Sequence, residues 1–123
     1  MPEASGDWSS GTFDIDMTDR RDEILRHFPA LLNRWRGVDA RLWTLSSAHP
    51  ILLIVLCDHQ RPGSLEIACI APERIEAPHR WTNSNLNIQN DGDLFRVIDE
   101  GARVLISRCG VEIKEFSNKP WER

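Results

Sequence analysis

The chain has 123 residues, of which 41% are hydrophobic and 28% charged, and this length and composition suit a soluble domain that buries a core without disulfide or metal support. Its formal net charge is −4, so it offers no basic face for phosphates and we expect no nucleic-acid partner. No apolar run approaches the ~20 residues of a membrane span, so we expect no membrane partner. The polar, acidic N-terminus lacks the features of a signal peptide, which predicts a cytoplasmic location.

Composition divides the chain into three parts. Residues 1–17 are rich in Ser, Gly, Asp and Pro, which predicts a mobile N-terminal arm, with residues 13–15 adding a short edge strand. Residues 18–117 contain the apolar runs and are predicted to form a single α+β domain. Residues 118–123 are predicted to be a polar C-terminal tail.

A helix is predicted at the start of the domain. Thr18 or Asp19 can accept its first N–H groups, and apolar residues recur at helical spacing: Ile24, Leu25, Phe28, Leu31, Leu32 and Trp35. Pro29 removes one hydrogen bond, so the segment forms either one kinked helix or two helices. Because the apolar stripe keeps its phase across the proline, we predict one kinked helix that ends at Gly37.

The most informative stretch is the apolar run at residues 51–57. It predicts a strand that is covered on both faces. A strand at residues 65–71 follows a turn signal, and a near-symmetric hairpin would pair Val55 with Ile67. We expect the helix to cover the face of that hairpin that carries Ile51, Leu53, Val55, Cys57, Leu65, Ile67 and Cys69.

The opposite face of the hairpin is also largely apolar and needs a cover of its own. Its candidate interface residues are Leu52, Ile54, Leu56 and Ile70. The cover could be a second half of the sheet that curls over, a second protomer in a homodimer, or a partner protein. The curl is slightly favoured, because a predicted second hairpin has an apolar face to bury, formed by Phe95, Val97, Val104 and Ile106.

The remaining segments complete the predicted sheet. A strand over residues 38–45 precedes the central run, and residues 72–93 are the longest irregular segment. Strands over 94–99 and 102–107 form the second hairpin, and a last strand over 111–116 follows a turn or bulge at Cys109-Gly110. The predicted fold is α+β, with the Pro-kinked helix packed on a curved, mostly antiparallel meander of about six strands.

The sequence shows little catalytic chemistry. Cys57-Asp58-His59 joins a thiol, a carboxylate and an imidazole, but a nucleophilic thiol needs an electropositive setting and a base within reach. A buried structural cysteine is the better interpretation, and we expect all three cysteines to be free thiols. Three loop histidines match no metal spacing, so we predict no catalytic residue, no metal and no cofactor.

A candidate binding patch combines arginine and aromatic side chains. Its residues are Arg41 and Trp43 on the first strand, and His79, Arg80 and Trp81 in the long loop. Arg and Trp are favoured anchors at binding surfaces. The alternative is an arginine that stacks on a tryptophan as ordinary surface packing, and the sequence leaves both open.

A short pattern resembles one found in small uncharacterised bacterial proteins. It comprises Leu42-Trp43, then Ser46-x-x-His49, then Leu52 and Ile54, and the resemblance implies no activity. Our leading hypothesis is a non-enzymatic protein-interaction or self-association module. The alternative is a small-ligand-binding domain that uses the 72–93 loop, and an enzyme ranks third because no acid–base or nucleophile–base pair is visible.

Overall fold

The structure is a computed structural model that describes residues 17–46 and 50–122. Residues 1–16 of the predicted N-terminal arm, with its strand at 13–15, and His49 of the Ser-x-x-His pattern lie outside these residues, whereas Met17, the last residue of the predicted arm, is the first residue of the helix. The elements run in the order α1 (Met17–Arg34), β1 (Ala40–Ser46), β2 (Ile51–Asp58), β3 (Arg61–Ile70), β4 (Arg74–Glu76), β5 (Arg80–Trp81), β6 (Asn87–Asp91), β7 (Leu94–Asp99), β8 (Val104–Phe116) and a 3₁₀ turn (Pro120–Glu122).

Helix α1 runs without interruption through Pro29, which confirms a single helix. The proline is exposed, so its ring lies toward solvent. Phe28, Leu32 and Trp35 are buried, as the apolar stripe predicts. Gly37 follows the helix with a φ of +86°, a left-handed conformation that favours glycine.

The sheet is curved and antiparallel. In the part of the chain that the structure describes it has eight strands, ordered β5-β1-β2-β3-β8-β7-β6, with β4 paired to β8. The α+β fold with one helix on a curved antiparallel sheet is therefore confirmed, but the predicted strand number is too low. The difference lies in residues 72–93, which contain β4, β5 and β6 where we predicted mostly loop.

The long strand β8 joins the two halves of the sheet. Its first half pairs with β4 and β7, and its second half pairs with β3. The pairing with β7 shifts register close to Arg108, whose φ is +53°, and a bulge of this kind bends a strand. The predicted break at Cys109-Gly110 is thus a bulge within one continuous strand.

The predicted register of the central hairpin is wrong by one residue. Ile54 pairs with Ile67 and Leu56 with Leu65, and an irregularity next to Asp58 accommodates two extra residues on β3. A slip of one residue changes which side chains of the two strands share a face. The face predicted to lie under the helix is therefore divided: its β2 residues (Ile51, Leu53, Val55 and Cys57) lie on the outer face, whereas Leu65, Ile67 and Cys69 lie in the main core.

The inner face carries the main core. Leu52, Ile54 and Leu56, three of the predicted interface residues, are buried there with α1 and the second hairpin. They pack in one cluster with Phe95, Val97, Val104 and Ile106, so the second half of the sheet curls over this face. The fourth residue, Ile70, lies on the outer face, where it packs with Trp43 and Cys57 against a second buried cluster of Ile51, Leu53, Val55 and Ala68.

Candidate functional site

Strand β5 brings the predicted binding patch together at the edge of the sheet. It pairs with the start of β1, so that Arg80 lies directly opposite Arg41. The amide of Leu42 donates a 3.0 Å hydrogen bond to the carbonyl of His79, which extends this pairing. Residues far apart in the sequence therefore lie side by side, because a two-residue strand inside the long segment closes on β1.

A cleft of about 770 Å³ lies beside this strand pair. Its lining takes in the outer-face residues of β1 and β2, the segment that follows β5, and the C-terminal turn. The side chains with binding chemistry are Arg41, Trp43, Cys57, His59, Arg80 and Trp121. Of the predicted patch, four residues line the cleft, namely Arg41, Trp43, Arg80 and Trp81, whereas His79 does not.

The two arginines give the cleft a local positive charge on an acidic protein. Both are exposed, and neither forms an ion pair or a side-chain hydrogen bond with any residue in the ranges 17–46 and 50–122. Asp39 is the acidic residue of the lining, and within the same ranges it pairs with neither arginine. Directly opposite residues of an antiparallel pair have Cβ atoms about 5 Å apart, where like charges repel.

Trp81 has a structural part in the site. It is buried in the main core, and its indole N–H donates a 3.0 Å hydrogen bond to Oδ2 of Asp99. The same buried carboxylate accepts hydrogen bonds from the amides of Asn85 (2.7 Å) and Ala102 (3.4 Å). Asp99 thereby fixes β5 against the β7–β8 turn and positions Arg80. We did not single out Asp99 from the sequence, although its inward phase after Phe95 and Val97 is a usable signal.

Trp121 belongs to the cleft and was missed as a site residue. Hydrogen bonds fix the turn that carries it: Ser64 Oγ donates to the carbonyl of Asn118 (3.1 Å), and Lys119 Nζ donates to the carbonyl of Arg61 (2.9 Å). Trp121 nevertheless stays 57% exposed. The available signal was a tryptophan in an otherwise polar tail.

Two residues of the triplet Cys57-Asp58-His59, Cys57 and His59, line the same cleft. Burial raises the pKa of the Cys57 thiol above its ordinary value, and the positive charges of Lys119 and Arg41 only partly oppose that rise. Because a thiolate is the reactive form, the raised pKa makes this thiol less reactive. Among the described residues, no hydrogen bond joins Cys57 to His59.

The described part of the chain has neither a metal-binding group nor a membrane-spanning helix. Within residues 17–46 and 50–122, no three His, Cys, Asp or Glu side chains are grouped so that they could hold a metal ion. No helix in those ranges is long and apolar enough to cross a bilayer.

Comparison of the chain with protein-family models, with curated proteins and with solved structures finds no match. The function is therefore inferred from the cleft and its side chains.

Proposed function

We propose that this protein is a non-enzymatic binding domain whose ligand is a small anion, held in the cleft by Arg41 and Arg80. The observation that carries the proposal is the placement of these two arginines. Their Cα atoms are partners across β1 and β5, both residues line the cleft, and neither has an acidic partner in the described part of the chain.

This placement has an energetic cost that an anion would remove. Like charges opposite each other on paired strands are destabilising. The chain has a net charge of −4, and yet none of its described acidic residues pairs with either arginine. A carboxylate or phosphate between the two groups could accept hydrogen bonds from both. Such charge-assisted bonds are about twice as strong as neutral ones, and arginine is well suited to both anions.

The size of the cleft favours a small ligand over a protein surface. Its volume of about 770 Å³ lies within the range of roughly 300–1,000 Å³ that is usual for small-molecule sites. The apolar residues that suggested self-association, Leu52, Ile54 and Leu56, are buried inside the protomer. The small-ligand hypothesis therefore has the better geometric support, and it uses the 72–93 segment through β5.

The experiment is calorimetric titration of the protein with inorganic phosphate and with acetate. We expect binding that weakens as salt is added, because screening reduces interactions between exposed charges. Arg80→Gln should weaken phosphate binding about tenfold or more, since a hydrogen bond to a charged group is worth about 1.5–3 kcal/mol. Arg26→Gln is the matched control, because Arg26 is exposed on α1, away from the lining of the cleft.

Two results would contradict this proposal. One is the absence of phosphate and acetate binding by the unmodified protein. The other is equal loss in Arg80→Gln and Arg26→Gln, which would indicate a response to total charge. A glutamate-rich peptide that binds through Arg41 and Arg80 while both small anions fail would support the protein-interaction hypothesis instead.

A further inference from the structure

We infer that the ligand carries an aromatic ring beside its anionic group, and that Trp121 is the surface on which this ring stacks. The inference rests on the proposed anion site and adds the chemical class of the ligand. Hydrogen bonds anchor the backbone of the C-terminal turn, and yet the large apolar side chain of Trp121 in this turn remains exposed.

The exposure of Trp121 is unusual for this protein. Among the described residues, the large hydrophobic side chains that remain exposed are Trp121, at 57%, and Ile75, at 48%. Ile75 lies on the short strand β4 and does not line the cleft. Trp121 does line it, so the ring of Trp121 presents apolar surface to the space that the arginines also face.

The turn that carries Trp121 is anchored at several points. Besides the bonds from Ser64 and Lys119 to the chain on either side, the amide of Lys119 donates a 2.7 Å hydrogen bond to Oε1 of Glu122, and the amide of Glu122 donates one of 2.9 Å to the carbonyl of Lys119. A fixed aromatic surface loses little conformational entropy when a ligand binds. This anchoring favours a wall for a ligand over a loosely attached tail.

The four tryptophans in the described part of the chain fall into two groups, according to whether the indole N–H has a hydrogen-bond partner. Trp35 donates to Glu115 and Trp81 donates to Asp99, and both rings are buried. Trp43 and Trp121 line the cleft, and neither has a hydrogen-bond partner among the described residues. Both N–H groups are therefore available to a ligand, and Trp121, which is 57% exposed, also has apolar ring surface available.

The charges decide which aromatic ligand fits. Aromatic walls alone would also suit a cation, because a cation is attracted to the face of an indole ring. Here Arg41 and Arg80 border the same space, and they would repel a cation. A planar ring that stacks on tryptophan and bears a carboxylate or a phosphate satisfies both the charged and the aromatic part of the lining.

The test compares ligands that share an anionic group and differ in the ring. Adenosine monophosphate is paired with ribose phosphate, and benzoate is paired with acetate. In at least one pair the ring-bearing ligand should bind about fivefold more tightly or better, because stacking of a base on an aromatic side chain is worth about 1–3 kcal/mol. The pair that shows the preference identifies a phosphate or a carboxylate ligand.

The variant Trp121→Leu assigns the preference to its residue. It should remove the gain from the ring and leave the affinity for ribose phosphate or acetate unchanged, and that retained affinity also shows that the protein is folded. Ile75→Leu is the matched control and should keep the preference. Equal affinities within both pairs, or a preference that survives Trp121→Leu, would overturn the inference and leave the anion site standing. Failure of all four ligands would instead refute the anion site.

Discussion

At the scale of single residues, two carboxylates organise the fold, the exposed Glu115 and the buried Asp99. Glu115 accepts hydrogen bonds from Trp35 Nε1 (2.6 Å) and from Arg34 (2.9 Å), which ties the end of α1 to β8. Asp99 does the same for Trp81 and the chain beside β5. An indole buried without such an acceptor would lose its hydrogen bond to water, so each acid allows a large ring to enter the core.

The cysteines should differ in reactivity. Cys69 and Cys109 are buried, and the hydrogen bond with Cys109, followed by burial, raises the pKa of Cys69 well above 9.0. Cys57 is half-buried. We expect iodoacetamide to modify Cys57 alone in the folded protein and all three residues in denaturant without reductant, as mass spectrometry would show.

The pH dependence follows from the raised pKa of Cys57. The folded protein keeps the thiol proton at a pH where the unfolded chain has lost it, so the stability associated with this group is present below the ordinary pKa of the thiol and is lost as the pH rises through the raised pKa. Alkylation of folded Cys57 should accelerate through that same range. Fewer than three adducts in denaturant, or modification of Cys69 in the folded protein, would contradict the assignment of buried free thiols.

At the scale of elements, the helix could be predicted and the hairpin register could not. The apolar residues of α1 form a single stripe, so only one orientation of the helix buries them. Strand β2 is apolar on both faces, so either register buries hydrophobic side chains, and the pattern does not choose between them. The irregularity beside Asp58 decided the outcome, and it has no signal in the apolar pattern.

The short strands and part of the site, like the hairpin register, could not be predicted from the apolar pattern. Strands β4 and β5 have three and two residues, too few for periodicity, so the pairing of Arg80 with Arg41 was not predicted and the two residues were only assigned to one candidate patch. Trp121 was missed because its position depends on the Ser64 and Lys119 hydrogen bonds to the tail. These contacts join distant parts of the chain.

The packing of α1 can be tested at one residue. Leu32 is 6% exposed and belongs to the main core, so Leu32→Ala should lower the free energy of unfolding by about 2–5 kcal/mol. Urea unfolding measures the loss. The neighbouring exposed residue gives the control, and Asn33→Ala should change stability by less than about 0.5 kcal/mol. Similar losses in the two variants would mean that α1 does not pack through Leu32.

At the scale of the whole molecule, one core lies between the helix and the two halves of the sheet. Ile54 is at its centre with no exposed surface. Ile54→Asp would bury an unpaired charge at a cost of several kcal/mol, which is comparable with the 5–15 kcal/mol that stabilises a typical domain. We expect an unfolded chain by circular dichroism, with Ile75→Asp, on the exposed strand β4, remaining folded.

Light scattering on Ile54→Asp distinguishes the two outcomes in which the variant stays folded. A folded monomer obtained from a dimeric parent would mean that Ile54 lies at an interface between copies. A folded protein of unchanged stability and size would place Ile54 on the surface, against the curled core.

The position of β8 has a consequence for synthesis of the protein. A ribosome releases the chain from its N-terminal end, and β1, β2 and β3 emerge long before their partner β8. Strand β3 has β8 as its neighbour along its length, so until Phe116 has emerged it presents an unpaired edge, which is a template for aggregation. During translation a chaperone that covers this edge would therefore protect the nascent chain from aggregation. Slow translation of the codons for residues 70–104 would lengthen the time for which the edge of β3 is exposed.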